Sequence, residues 1–323
     1  MKAIRFAKTG GPEVLSLQDI ALPPPAQGQV RIRHTAIGVN FIDTYHRSGL
    51  YPLPLPSGLG LEAAGTVESL GAGVTSLKIG DRVGYCTGPV GAYAEANNVP
   101  ADRVVKLPAS VSDDVAAAAM LKGMTVQYLL KRTFAVQRGQ AILFHSAAGG
   151  VGLIAVQWAK HMGAQVIGTV GSDSKIELAK AHGCDQVFNI EKDDWVAGVR
   201  ELTNGAGVPV VYDSIGKDTF MGSLDCLSPR GMMVSFGNSS GAVPPFEPAL
   251  LSAKGSLYLT RPTLMHYTRT ARELQETADD LFAVIGSGAV KIAVNQRFAL
   301  ADARAAHEAL HSRKTTGATI LIP

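Results

Sequence analysis

Cysteine is scarce. The 323 residues contain three, Cys86, Cys184 and Cys226, far apart and odd in number. That excludes a disulfide framework and a thiolate metal cluster, and it fits a reducing cytoplasm. Blocks of one charge are also missing. Lysine and arginine number 30 against 27 aspartates and glutamates, for a net charge of +3. Without a basic run, the chain carries no electrostatic footprint for a nucleic-acid partner. No apolar run is long enough to span a bilayer. The longest, residues 141–159, is broken by His145, Ser146, glycines and Gln157. The opening "MKAIRFAKTGGPEVL" lacks the apolar region of a secretory signal, so a cytoplasmic protein with no membrane partner is expected. What is present, 46% apolar and 18% charged, is ordinary globular composition at a length that suits two domains.

The first 120 residues are rich in glycine and proline and carry short β-like runs, "KAIRFA", "QVRIRHTAIGV", "AAGTVESL", "DRVGY" and "RVVKL". Turn signals separate them, so this part reads as a β-rich domain. "NFIDTYHRSG" reads as a short helix stopped by Gly49. From Asp113 the pattern becomes helical, with an interruption expected at Gly123. Six short apolar strands then alternate with helices: "AILFH", "QVIGTV", "QVFNI", "PVVYDS", "MMVSFG" and "SLYLT". Strands apolar on both faces belong to a covered parallel sheet, here of the doubly wound Rossmann type. After Thr260 one long helix, a strand, a helix and a last strand are expected to return to the first domain. The expected division is 1–122 with 263–323 for the β-rich domain and 123–262 for the Rossmann domain, with the ligand in the cleft between them.

The stretch "HSAAGGVG", His145 to Gly152, lies between strand "AILF" and helix "LIAVQWAKHMG". Backbone N–H groups approach a pyrophosphate only where no Cβ intervenes, and a helix N-terminus adds unpaired donors. Gly149, Gly150 and Gly152 provide that relief around Val151, with Ala147 where the dinucleotide fingerprint has its first glycine. The next strand ends in Gly171-Ser172-Asp173-Ser174-Lys175, with no acid at the strand end itself. A hydroxyl and an ammonium, Ser172 and Lys175, match a ribose 2′-phosphate, so NADPH is the expected cofactor. Asp173 reads as a cap. Later strand ends offer Ser214 and Gly216, then Phe236, Gly237, Asn238 and Ser239, as walls for ribose and nicotinamide.

This order of parts resembles the medium-chain dehydrogenases/reductases over essentially the whole chain, with a GroES-like domain first. Zinc members of that family hold their metal with a Cys and with the His of "GHE". Here the matching segments read "GVNFID" and "GLEAAG", which place Asn40 and Leu61 at those positions, and no four-cysteine lobe is present. Neither residue is a tetrahedral zinc ligand, so no metal is expected. "NFIDTYHRSGLYP", "LPSGLGLEAAG", "LKGMTVQYLL", "HSAAGGVGLIAVQWAK", "VYDSIG" and "MVSFGNSSG" resemble the zinc-free quinone oxidoreductases. The resemblance implies cofactor contacts from Asn40, Phe41, Asp43, Tyr45, Thr125, Gly150 to Gly152, Ser172, Lys175, Ser214 and Phe236 to Ser239. It adds Arg261, Thr263, Leu264 and Arg313, and a homodimer joined through the sheet edge at "SLYLT". Ile190 departs from the tyrosine that close relatives place near the adenosine.

A quinone is a good hydride acceptor and needs no metal to draw charge. Orientation and a few hydrogen bonds from Asn40 and Tyr45 suffice. Tyr51 stands where zinc-free enoyl reductases of the same family carry a catalytic tyrosine; packing against the neighbouring prolines is its other reading. The expected activity is NADPH-dependent quinone reduction. Two rivals stay open: reduction of an activated C=C bond, and a non-catalytic NADPH-binding regulator or RNA binder. His34 and His145 read as structural histidines.

Overall fold

The computed structural model describes residues 1–312 and 315–323. Two compact units emerge, one of residues 1–124, 267–286 and 292–323, the other of residues 125–266 with 287–291. In chain order the strands are β1 (Lys2–Phe6), β2 (Ser16–Asp19), β3 (Gln29–Val39), β4 (Ser57–Gly58), β5 (Ala63–Leu70), β6 (Arg82–Tyr85), β7 (Ala96–Pro100) and β8 (Val105–Lys106). There follow β9 (Ala141–Phe144), β10 (Gln165–Val170), β11 (Gln186–Asn189), β12 (Val208–Asp213), β13 (Leu227–Ser235) and β14 (Tyr258–Thr260). The chain closes with β15 (Val294–Ala299) and β16 (Ala318–Ile322).

The first unit is the GroES-like β unit. Its larger sheet runs β15-β16-β3-β5-β6-β8, with β7 also on β3, and a smaller one runs β2-β1-β4. Pairing is antiparallel except between β15 and β16. β3 begins with the period-2 alternation of a half-buried strand, burying Val30, Ile32 and His34, and then sinks completely from Ala36 onward. Those side chains meet Val67, Val83, Tyr85 and Val99 in one core.

The second unit is a single parallel sheet, β11-β10-β9-β12-β13-β14. Its central strands are the most apolar, as in a sheet covered on both faces; Ile142, Leu143 and Phe144 of β9 are all buried. The strand order reverses direction beside β9, and the crevice beyond the carboxyl ends there is where such sheets take ligands. The doubly wound reading of residues 141–260 is therefore correct.

Two expectations need correction. Gly123 does not interrupt its helix, which runs unbroken over Asp113–Tyr128. A Cβ at 123 would lie 2.4 Å from Leu281 Cδ1, so the glycine serves close packing by the helix Ala271–Gly286. The long helix expected after Thr260 is two, Leu264–Tyr267 and Ala271–Gly286. Thr270 and Glu273 form a capping box that starts the second: Thr270 N donates to Glu273 Oε2 at 3.1 Å and Glu273 N to Thr270 Oγ1 at 3.2 Å.

Candidate active site

In the second unit the turn after β9 is shaped by three small residues. Ser146, one residue before the fingerprint begins at Ala147, adopts φ +56°, a left-handed conformation unusual for a residue other than glycine. Ala147 fills the position before the helix, and Gly168 on β10 makes room for it: a Cβ at 168 would come 2.8 Å from that of Ala147. Gly152 is the tightest point, since a Cβ there would lie 2.2 Å from the Ser146 carbonyl oxygen. The helix Gly150–His161 has Gly149 as its N-cap, with no side chain capping it. Its first-turn N–H groups are thus left to face an anion.

His145 directly precedes this turn and is fully buried. Ser223 Oγ donates to Asp213 Oδ2 at 2.9 Å, so it accepts from His145 Nε2 at 2.9 Å. Nδ1 then accepts from Thr169 Oγ1 at 2.8 Å. Burial lowers the imidazole pKa. This histidine is a neutral strut that ties β9 to β10 and to the helix Phe220–Asp225. His34 is similar, held by Ala94 O and Tyr85 OH, with its pKa pushed down to about 4 by burial.

Beyond β10, Ser172 lies in extended backbone at the head of the short turn Asp173–Lys175, its hydroxyl 2.9 Å from that of Ser174. Asp173 is an ion-pair partner of Lys192 and accepts from Asn189 Nδ2 at 2.6 Å, and both contacts lower its pKa. Its charge is thereby spent within the protein. Gly171 is exposed and Lys175 half-buried. The loops after β12 and β13 meet backbone to backbone. A Cβ on Gly237 would lie 2.5 Å from Ser214 O, and Ser239 N donates to that same oxygen at 3.1 Å. Phe236 packs on Phe144, ring centroids 5.7 Å apart. Arg261 Nη1 donates to Ser235 O at 3.1 Å, and Arg261 and Asn238 line a cavity of about 500 Å³ with Phe220 and Phe246. Thr263 is exposed beside buried Leu264, and Thr125 is buried in its helix. Arg313 lies outside the described residues.

In the first unit, β3 delivers Asn40 to the start of the helix Phe41–Ser48, which Gly49 stops at φ +84°. Asn40 N donates to Asp43 Oδ2 at 2.8 Å, so Asp43 closes the first turn. Asn40 Nδ2 donates to Glu62 Oε2 at 2.7 Å. Phe41 and Tyr45, half-buried, stack in series with Tyr51: centroids are 6.1 Å apart for Phe41–Tyr45 and 5.2 Å for Tyr45–Tyr51. Tyr51 packs on the Tyr45 and His46 rings.

Sequence reasoning missed the charged residues behind this face. Glu62 is fully buried; its Oε1 accepts from Leu121 N at 2.7 Å, and Lys122 Nζ lies 3.6 Å from Oε2. Burial raises the Glu62 pKa and the Lys122 charge opposes that rise. Arg47, Tyr93 and His307 form a second buried group around Asp43. No spacing in the sequence links residues this far apart.

A mostly antiparallel GroES-like unit and a doubly wound parallel sheet with a glycine-rich turn at its switch point define a nucleotide-dependent dehydrogenase/reductase of the medium-chain class. Two family profiles agree, the alcohol dehydrogenase GroES-like domain over residues 26–109 and the zinc-binding dehydrogenase over residues 150–283. The chain is 54% identical to the quinone oxidoreductase of Pseudomonas aeruginosa, covering 100% of this chain and 99% of that one. It is 46% identical to a 2-haloacrylate reductase of a Burkholderia species, over 98% of this chain and 97% of that one. The crystal structure of Escherichia coli quinone oxidoreductase complexed with NADPH superposes with a TM-score of 0.99 at 51% identity, covering 100% of both chains. This chain belongs to the quinone oxidoreductase family.

The second profile's description raises the question of zinc. Asn40 turns an N–H donor toward Glu62, Leu61 has no donor atom, and the oxygens of Glu62 are taken by Leu121, Asn40 and Lys122. Among the described residues no three His, Cys, Asp or Glu side chains gather as a metal site. These residues do not fit zinc.

Proposed function

We propose that this protein reduces quinones with NADPH, by hydride transfer, using no metal in the step. The observation that carries this is the uncapped, glycine-rich helix start at the switch point of a parallel sheet; in the first unit, an aromatic and amide face that does not fit zinc supports it. NADPH supplies the hydride when bound. Gly149 to Gly152 bind its pyrophosphate through backbone N–H groups, and Ser172, Gly171 and Lys175 take the 2′-phosphate end. Ser214, Phe236 to Ser239, Thr125, Arg261, Thr263 and Leu264 wall the remainder, and Phe41 and Asp43 shape the first unit's contribution. Asn40 and Tyr45 orient the acceptor. The half-buried lysine supports the assignment, since burial lowers its pKa and a bound phosphate would oppose that shift.

The test is steady-state oxidation of NADPH with small planar quinones. Turnover should be faster with NADPH than with NADH and unchanged by chelators. A protein that binds neither nucleotide would end this reading.

The 46% identity to a 2-haloacrylate reductase favours a second substrate class, an activated C=C bond. Protonation of carbon would then call on Tyr51, whose ring meets Tyr45. Comparing Tyr51→Phe on a quinone and on a haloacrylate separates the two: a loss confined to the second makes C=C reduction the working reaction.

A homodimer through β14 completes the proposal. This strand is the sheet's last, and Tyr258 on it is 60% exposed. Sedimentation of Tyr258→Lys should give a monomer where the parent gives a dimer. Among the described residues no helix is long and apolar enough to cross a membrane, and we assign the protein to the cytoplasm on its cysteine usage.

A further inference from the structure

Ser172 and Lys175 suit a 2′-phosphate in hydrogen bonding and in charge. Between them stands an acid. Asp173 opens the turn Asp173–Lys175 beyond β10, and Lys192 and Asn189 hold it ionised, below its ordinary pKa. A free carboxylate beside a ribose accepts from the 2′-hydroxyl of NADH and opposes a phosphate. The turn thus carries residues suited to either nucleotide, and the placement of the Asp173 side chain decides between them.

β10 and β11 end side by side, Val170 paired with Asn189, so the turns that follow them are neighbours at the carboxyl edge of the sheet. Asp173 reaches across to the second turn with both oxygens. Oδ1 accepts from Asn189 Nδ2 at 2.6 Å, and Oδ2 accepts from Lys192 Nζ. The Asn189 amide cannot turn over, because its Oδ1 accepts from Glu191 N at 3.0 Å and so leaves Nδ2 for Asp173. Asn189 is 1% exposed, which makes it a fixed anchor. The turn after it is fastened twice more: Asn189 N donates to Asp193 Oδ2 at 2.7 Å, and Lys192 N donates to Asn189 O at 3.1 Å. Lys192 is therefore presented to Asp173 from a rigid base.

Lys192 is also the one cation in the run Glu191, Lys192, Asp193 and Asp194. The Lys192 and Asp173 side chains are 64% and 56% exposed, so their pair adds little to stability. Its consequence is for where the carboxylate points and for the charge a ligand meets at this edge.

We propose that Lys192 sets the preference for NADPH over NADH by holding the Asp173 carboxylate on the turn after β11, away from the ribose. This rests on the NADPH reading of Ser172 and Lys175. With each oxygen engaged by a donor, Asp173 takes no hydrogen bond from a 2′-hydroxyl. With an ammonium on Oδ2, it sets little charge against a 2′-phosphate. Lys192 acts through Asp173 and is a positioning residue, not a nucleotide contact. Removing it frees Oδ2 for a ribose hydroxyl and turns the same acid into a determinant for NADH.

The experiment is a double-mutant cycle on Lys192→Met and Asp173→Asn, read by fluorescence titration of the full chain with NADPH and with NADH. Lys192→Met should weaken NADPH about tenfold and tighten NADH about threefold. A merely structural role would weaken both together. In the Asp173→Asn background the same change should leave NADH as it was and cost NADPH no more than about twofold, the share of a charge acting at a distance. Asp173→Asn alone should leave NADH at the parent's affinity, because the carboxylate makes no ribose contact to lose. Equal NADPH losses in the two backgrounds, no change in Lys192→Met, or weaker NADH binding by Asp173→Asn would each overturn the proposal. Failure of the NADPH reading shows differently: the parent itself then binds the two nucleotides equally, and the proposal falls with that reading.

Discussion

Two buried aspartates, Asp213 in the second unit and Asp43 in the first, are treated in opposite ways. In the second, Asp213 accepts from Ile215 N, Gly216 N, Thr219 Oγ1 and Ser223 Oγ, all within 2.7–3.0 Å, and His145 is fully paired as a neutral ring. Both of these side chains are satisfied within the unit. In the first unit, Asp43 Oδ1, His46 Nδ1 and Lys122 Nζ are buried without hydrogen-bond partners, next to charged Arg47 and Glu62. The lesson is that burial alone does not fix the state of a carboxylate: Asp213 is saturated by its neighbours, and Asp43 keeps one oxygen without a hydrogen-bond partner.

That contrast can be broken experimentally, most severely at Glu62. Glu62→Leu leaves Lys122 buried without its counter-ion and should cost about 3–5 kcal/mol in urea unfolding, whereas replacing Glu62 and Lys122 together with Gln and Met should cost much less. Equal losses would mean that the pair is not electrostatically coupled. Next is the backbone site. Gly152→Val puts a Cβ where the Ser146 carbonyl oxygen is only 2.2 Å away, and that neighbour is main chain. NADPH affinity by fluorescence titration should fall about a hundredfold, or about 3 kcal/mol. Full affinity would remove the turn from the cofactor site.

A smaller effect is expected from acid. The buried His34 and His307 have native values of about 4 and about 3, below the 6.5 of the unfolded chain. As pH falls below 6.5 the unfolded chain takes these protons first, so the stability they contribute above 6.5 is lost progressively down to about 4. Asp43, raised from 3.8 to about 7, acts the other way, since its burial penalty is relieved over pH 7 to 4. Glu62, also raised by burial, acts with Asp43, and His145 acts with the other histidines, so three histidines against two carboxylates leave stability falling as the pH drops. Urea midpoints at successive pH values measure it, and a flat profile would mean that the rings are charged in the native state. The smallest change is Lys175→Gln, which should weaken NADPH about tenfold and leave NADH unaffected. Matching losses for both nucleotides would relocate the 2′-phosphate.

Much of the second unit was legible along the chain. Six apolar strands with glycine-ended crossovers can pack only as a covered parallel sheet, and "SAAGGVG" occurs at the one turn where the sheet order reverses. Local pattern sufficed because each strand–turn–helix repeat is contiguous. The same pattern misjudged Gly123, since the residue that needs its missing side chain, Leu281, lies far along the chain. It also missed Thr270 and Glu273, a capping box inside what looked like one helical period.

The sequence alone determined the fold class, the glycine-rich turn after the first parallel strand and the lack of Cys and His at the zinc positions, because these follow from residue types at short fixed spacings. Tertiary structure alone decided the state of the buried charges. Asp43, Tyr93 and His307 are separated by 50 and 214 positions, yet they share one hydrogen-bonded chain. Desolvation and hydrogen-bond direction depend on what surrounds an atom in space, and a linear pattern carries neither.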